Sequence, residues 1–89
     1  MKAVITVIGK DMVGILATVA AACADKQANI LEVTQSILQD LFVMIMLVDI
    51  TTLQGDFSDF AKELSALGNQ LGLSIHVMHE DIFNSMHRI

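Results

Sequence analysis

The sequence predicts an α+β fold of the ferredoxin-like type, a four-stranded antiparallel sheet with two helices on one face and a short C-terminal helix. Three observations predict it. The period of the apolar residues changes along the chain in the order β-α-β-β-α-β. Turn-forming residues separate these segments. The 89 residues suffice for one small hydrophobic core. We therefore expect one domain over residues 1–89.

The first strand and the first helix are predicted within the first 27 residues. Lys2 to Ile8 is aliphatic and β-branched, and the strand ends at the turn Gly9-Lys10-Asp11. Asp11 can cap the helix that follows, which ends near Gln27. One apolar stripe of this helix is formed by Met12, Ile15, Leu16, Val19 and Cys23. Its opposite side carries small residues, which allow close packing, at Ala17, Ala21 and Ala24.

Two adjacent strands are predicted next, over Asn29–Gln39 and Leu41–Ile50. The first alternates, which predicts one dry face with Leu31, Val33 and Ile37 and one wet face with Glu32, Thr34 and Ser36. The second is apolar until Asp49, which is typical of a central strand covered on both faces. One of the two alternating sets of side chains in this strand must face away from the helices, and the pattern does not show which. The two sets are Phe42, Met44, Met46 and Val48, and Leu41, Val43, Ile45 and Leu47.

The last third of the chain predicts a helix, a strand and a short terminal helix. Asp56 caps the helix and Gly72 ends it. Its apolar side is formed by Phe57, Phe60, Ala61, Leu64, Leu67 and Leu71. Leu73–Glu80 alternates as a strand does, and Asp81–Arg88 can form the terminal helix.

Composition excludes several classes of function. A net charge of -5 has the wrong sign for nucleic acid, and no apolar stretch approaches the roughly 20 residues of a membrane crossing. The lone Cys23 cannot form an internal disulfide, and we expect a cytoplasmic protein with this cysteine in its core. An apolar fraction of 54% is high for so small a domain, which indicates a face buried against another chain.

Candidate catalytic or metal-binding residues are few. His76 and His79 are three apart on a strand and point to opposite faces, so they cannot share a metal. A small enzyme or metal site could form only if the terminal segment folds back, from His79, Glu80, Asp81 and His87. The more ordinary interpretation is that these groups fasten the C-terminal tail. We expect no enzyme, no catalytic residue, no metal and no cofactor.

The loop from Gly9 to Gly14 is the most informative stretch of the sequence. Gly9 lets the backbone turn, Asp11 lies at the helix start, and Gly14 is expected in the first helical turn, where it leaves N–H groups unshielded. An amino acid needs N–H donors for its carboxylate and an anionic or carbonyl partner for its ammonium. The alternative is that both glycines only permit a tight strand-to-helix connection.

The stretch from Val7 to Gln35 resembles an ACT domain. The resemblance depends on a hydrophobic strand, a Gly-x-Asp-x-x-Gly-Ile-Leu motif, an alanine-rich helix and an Asn-Ile pair that opens the second strand. In this chain the residues that match are Gly9, Asp11, Gly14, Ile15, Leu16, Asn29 and Ile30. The ending from Val77 to Ile89 is similar to small stand-alone ACT proteins related to glycine cleavage system regulators, a largely uncharacterised group.

The resemblance implies a non-enzymatic regulatory module that binds an amino acid or a similar small ligand between paired domains. It implies a homodimer or higher homo-oligomer, with Asn29 reaching a ligand across the interface. Because no effector domain accompanies the motif, we expect a ligand to act through a protein partner or through self-assembly of the chain. The implied ligand-binding residues are Gly9, Lys10, Asp11, Met12, Val13, Gly14, Asn29 and Ile30. The alternative function is a structural or protein-interaction module without a small ligand.

Overall fold

The structure is a computed structural model that describes residues 1–10 and 14–86. Its elements follow the predicted order. They are β1 (Lys2–Lys10), α1 (Ile15–Asp25), β2 (Asn29–Leu38), β3 (Leu41–Asp49), α2 (Phe57–Leu71), β4 (Ser74–His79) and α3 (Glu80–Met86). This confirms the βαββαβ arrangement and the short terminal helix.

The four strands form one antiparallel sheet in the order β2-β3-β1-β4. β1 and β3 occupy the middle, as the uninterrupted apolar sequence of β3 predicts. Along this central pair, Lys2 lies opposite Asp49 and Lys10 lies opposite Leu41. β2 and β3 are joined by a tight turn in which Gln39 has a φ of 58°. The ferredoxin-like fold class is confirmed.

The hydrophobic core lies between one face of the sheet and the two long helices. Met44 and Met46 are fully buried in it, and Phe42 and Val48 belong to the same face. The alternating pattern of β3 did not show which of its two sets of side chains faces the helices. The structure shows that Leu41, Val43, Ile45 and Leu47 form the set that faces away from α1 and α2. The helices contribute Ile15, Val19, Cys23, Phe60 and Leu64 to this core.

Helix α2 has the predicted bounds and packs very closely against β4. It follows Asp56 and ends at Gly72, whose φ of 73° suits a glycine. A Cβ atom added at Gly68 would lie 2.8 Å from Cγ1 of Ile75 and 3.0 Å from the carbonyl oxygen of Leu73. A glycine at position 68 therefore sets the distance between the helix and the sheet.

Helix α1 begins later than predicted. Gly14 is its N-cap, with a φ of 85°, so the expectation that Gly14 lies inside the first turn is wrong. Leu16 is 37% exposed and does not belong to the buried stripe, which starts at Ile15. The helix ends at Asp25, two residues before Gln27, which has a φ of 60°. The predicted cap Asp11 and the stripe residue Met12 lie outside the described residues.

Strand β2 has no dry face, which corrects the prediction from its alternation. Every residue from 31 to 38 is exposed, and Ile37 is exposed to 62%. The strand lies at the edge of the sheet, and a bulge between Ile30 and Glu32 interrupts its register with β3. Only Ile30, at its beginning, packs against the core. The rest of β2 extends beyond the cover that the helices provide.

The face of the sheet opposite α1 and α2 is partly covered by α3. α3 follows β4 without a loop and packs against β1 and β4. Val4 points to this face by alternation with Ala3 and Ile5, yet it is only 3% exposed. Among the described residues, no helix packs on this face over β2.

Candidate functional site

Two glycines border the connection between β1 and α1. Gly9 lies within β1 and pairs with Phe42 of β3, so the expectation that the strand ends and turns at Gly9 is wrong, and Gly14 directly precedes α1. Gly9 is half-buried, and a Cβ atom there would collide with Cδ2 of Leu73. Gly14 is exposed, with open space around it and a left-handed φ that other residues rarely adopt. Gly9 therefore serves packing, whereas Gly14 shapes a part of the backbone that solvent can reach.

The N-terminus of α1 is accessible at Gly14. The carbonyl oxygen of Gly14 accepts a hydrogen bond from the backbone N–H of Thr18 at 2.9 Å, which closes the first helical turn. A glycine N-cap brings no side-chain oxygen to the first N–H groups of the helix. These N–H groups and the positive end of the helix dipole favour an anion. Lys10, exposed at the end of β1, adds a positive charge before the loop.

Three residues predicted for this site lie outside the described part of the chain, namely Asp11, Met12 and Val13. Ile30, another predicted site residue, is half-buried and packs against the core. Of the predicted ligand residues that the structure describes, Lys10, Gly14 and Asn29 are the exposed ones.

Asn29 does not meet the loop within one chain. Gly9 pairs with Phe42 and Asn29 pairs with Asp49, which places them at opposite ends of β3. Seven residues of a strand, at about 3.3 Å each, correspond to about 23 Å. Asn29 and Gly14 can act on one ligand only if Asn29 comes from a second subunit.

The histidines of β4 lie on opposite faces, as predicted. The His79 ring stacks on Phe57 of α2, with 4.1 Å between the ring centroids, whereas His76 is exposed on the other side. His79, Glu80 and Asp81 line a small cavity of about 150 Å³. Within residues 1–10 and 14–86, no group of three or more His, Cys, Asp and Glu side chains could hold a metal ion. His87 lies outside the described residues.

Cys23 belongs to the core of the protein, as predicted. Its side chain is fully buried on α1, and burial raises the pKa of its thiol to about 11. The thiolate is the nucleophilic form of cysteine, so a thiol that stays protonated at neutral pH is inert.

Two concave surfaces escaped the sequence analysis. One is a groove of about 300 Å³ between α1 and α2, where Nζ of Lys26 lies 3.3 Å from Oε1 of Glu63. The other is a larger cavity beneath α3. Neither has a signal in the sequence, because each depends on how far apart two elements pack. No helix in the described part of the chain is long and apolar enough to span a membrane.

Comparison with known proteins identifies the family. The family model for the ACT domain matches residues 2–78. The chain belongs to the ACT domain family. An uncharacterised protein family UPF0237 member of Methanocaldococcus jannaschii is 48% identical to it over 88 residues, which cover 99% of this chain and 98% of the relative. ACT domains are typically regulatory modules that bind ligands.

Solved structures support the same assignment. An ACT domain protein from Streptococcus pneumoniae is 36% identical to this ACT domain, with a TM-score of 0.82 over 93% of both chains. A putative glycine cleavage system transcriptional repressor is 25% identical, with a TM-score of 0.69 over 85% of this chain and 43% of the repressor. The second of these structures confirms the similarity to the fold of glycine cleavage system regulators.

Proposed function

We propose that this ACT domain is a non-enzymatic regulatory module that binds an amino acid or a similar small carboxylate at the connection between β1 and α1. The observation that carries the proposal is the exposed glycine N-cap at Gly14 in a chain of the ACT family. In this proposal the protein is a homodimer, residues 1–89 form one domain, and the ligand state passes to a protein partner.

The chemistry of the loop suits a zwitterion. The first N–H groups of α1 receive the carboxylate, and the helix dipole adds about 0.3–1 kcal/mol at an exposed site. Asp11, in the same loop, supplies a carboxylate for the ammonium group. Open space around Gly14 lets the ligand approach the backbone directly.

The second subunit completes the site through β2. This strand is an unpaired edge with exposed apolar side chains, among them Val33 and Ile37, and such an edge favours pairing with another strand. Two β2 strands that pair antiparallel about a two-fold axis bring each Asn29 beside the Leu38 end of the other. The Leu38 end is also the end of the sheet where β1 leads into the loop. The partner subunit's Asn29 then lies on the same side of the assembly as Gly14.

The loop is tested by titrating the dimer with each amino acid in a calorimeter and by measuring thermal stability. A ligand at a hundred times its dissociation constant adds about 2.7 kcal/mol of stability. Gly14→Asn keeps a residue that tolerates positive φ but places a side chain in the open space. Gly55→Asn is the matched control, because Gly55 has a φ of 86° and equally open surroundings. Only the variant at Gly14 is expected to lose binding.

The contribution of the second subunit is tested at Asn29. Asn29→Ala is expected to weaken binding, whereas Asn69→Ala, an exposed change on α2, leaves it unaltered. If no amino acid releases heat or stabilises the wild-type protein, the module acts without a small ligand and the interaction alternative is the better interpretation.

A further inference from the structure

The cavity beneath α3 has the size of a small-molecule site. Its volume is about 510 Å³, within the range of roughly 300–1,000 Å³ that ligand pockets occupy. Phe83 of α3 forms one wall. The floor is the sheet face opposite α1 and α2, and it is mostly apolar, with Ile8, Val43, Ile45 and Met78. This cavity is separate from the loop at Gly14, and we call it the α3 cavity.

Polar groups converge at one side of the α3 cavity. Thr6 and His76 lie directly opposite each other in the β1–β4 ladder, and both line the cavity. The hydroxyl oxygen of Ser74 lies 3.1 Å from Nε2 of His76, which holds the imidazole ring at this edge. When the Ser74 hydroxyl donates to Nε2, the ring carries its proton on Nδ1 and can donate it to an acceptor.

The side chains around this polar side suit an anion. His76 also borders a groove of about 220 Å³ at the edge of β4, which Lys62 and Ser65 line from α2. None of the described residues that line either cavity is acidic. In a protein with a net charge of -5, an apolar cavity that is lined by a histidine and by none of the described acidic residues is a local exception. The described residues that line the cavity also include no carboxylate that could receive an ammonium group.

We propose that the α3 cavity binds a small carboxylate with an aromatic or branched apolar body and no ammonium group. The body lies on Ile8, Val43 and Ile45 against Phe83. The carboxylate accepts hydrogen bonds from the Thr6 hydroxyl and the His76 ring. The loop at Gly14 prefers a zwitterion, so the two sites take different ligands.

Phenylacetate is the probe, and methyl resonances of the full-length protein in NMR spectra are the readout. Phenylacetate is expected to shift the methyl groups of Ile8, Val43 and Ile45 and to leave those of Ala17 and Ala21 unchanged. Acetate lacks the apolar body and phenethylamine reverses the charge, so both are expected to bind at least tenfold more weakly. Equal binding of phenethylamine would overturn the proposed anion preference.

Two pairs of variants locate the probe. His76→Gln is expected to weaken phenylacetate binding about tenfold, whereas His79→Gln, on the opposite face, changes it less than twofold. Val43→Phe fills the cavity and is expected to abolish binding, whereas Val33→Phe on β2 preserves it. Each variant is first compared with wild type by its amide spectrum, and binding is read only for folded proteins. A loss of binding in both members of either pair would contradict the assignment.

The result can be separated from the outcome of the amino-acid titration. Gly14→Asn is expected to leave phenylacetate binding unchanged, since Gly14 is not part of the α3 cavity. If Gly14→Asn abolishes it, the probe binds at the loop and the proposal fails. If millimolar phenylacetate shifts none of these methyl resonances, the proposal also fails. This holds even where the reason is that a second copy of the chain covers this face. A failed amino-acid titration does not affect these readouts.

Discussion

Strands β2 and β3 lie side by side and are both rich in apolar residues, yet they are buried to very different extents. Met44 and Met46 of β3 are fully buried, whereas Ile37 of β2 is 62% exposed and Val33 is 37% exposed. Both strands point these side chains to the face that carries the helices, as their pairing register shows. Hydrophobicity alone therefore does not determine burial in this sheet.

The difference follows from the position of each strand beneath the helix layer. β3 has a neighbouring strand on both sides, and α1 and α2 cover one of its faces. β2 has a neighbour on one side only, and the helical cover ends near Ile30. The comparison indicates that β3 supplies stability to the folded chain and that β2 is available for association.

The largest expected effect is a loss of stability on truncating a side chain of the buried strand β3. Met46→Ala removes a fully buried side chain and is expected to lower the free energy of unfolding by about 2–5 kcal/mol. Ile37→Ala, at a concentration where the chain is monomeric, is expected to change it by less than about 0.5 kcal/mol. Urea denaturation measures both. Equal losses would show that β2 is covered in the monomer and would break the comparison.

A second prediction tests how closely the helix layer packs where it covers the sheet. Gly68→Ala is expected to destabilise the protein by about 1–3 kcal/mol, because the added methyl group overlaps Ile75 and the Leu73 carbonyl. This loss opposes the gain in helix propensity of about 1 kcal/mol. Asn69→Ala, at the next and exposed position of α2, is the control. Greater stability in Gly68→Ala would show that α2 can move away from β4 at little cost.

A third prediction separates association from folding. Ile37→Lys introduces a charge on the exposed edge strand, so it is expected to leave the unfolding of the monomer within about 0.5 kcal/mol of wild type. Sedimentation is expected to show two chains for wild type and one chain of 9.7 kDa for the variant. Ile82→Lys, at a 53% exposed position of α3, is the control and keeps the dimer. A dimer that survives Ile37→Lys would place the interface elsewhere.

The smallest expected effect lies at Asp49, which ends β3 and pairs with Asn29 of β2. The hydroxyl and the backbone N–H of Thr51 hold the pKa of Asp49 below its usual value, with the N–H at 2.8 Å from Oδ1. Asp49 therefore adds stability above its unfolded pKa of about 3.9, and this contribution is lost as the pH falls through the lower pKa of the folded state.

Acid titration of the unfolding free energy tests this prediction. Asp49→Asn is expected to be slightly less stable than wild type at pH 7, and the difference is expected to shrink as the pH falls below 4. Thr51→Ala, which removes the hydroxyl, is expected to show a smaller change of the same sign. A difference between Asp49→Asn and wild type that is independent of pH would contradict the role of the carboxylate.

The elements that could be predicted are those whose signals are local. α2 was predicted with nearly its observed bounds because Asp56, a periodic apolar stripe and Gly72 lie within one short stretch. The start of α1 was predicted wrongly, because the sequence does not show that Gly14 adopts a left-handed conformation and ends the loop. Periodicity also failed at β2, where an alternating pattern was interpreted as a buried face.

The features of the candidate site also fall into those that the sequence predicts and those that it does not. The spacing of Gly9 and Gly14 pointed to the loop, and the structure shows that Gly14 is an exposed N-cap of α1. The distance between Gly14 and Asn29 required the register of three strands. The α3 cavity had no sequence signal, since Thr6, Val43 and His76 come from three strands that only the folded sheet brings together.

The sequence by itself determined the order of the elements, the central place of β3 and the ACT family motif, because periodicity, turn residues and motif spacing act between near neighbours in the chain. Only the tertiary structure decided which face of β3 is buried, where the helical cover over β2 ends, and that α3 covers Val4. These features depend on distances between elements far apart in sequence. Such distances are set by contacts like that of Gly68 with Ile75, which no local pattern records.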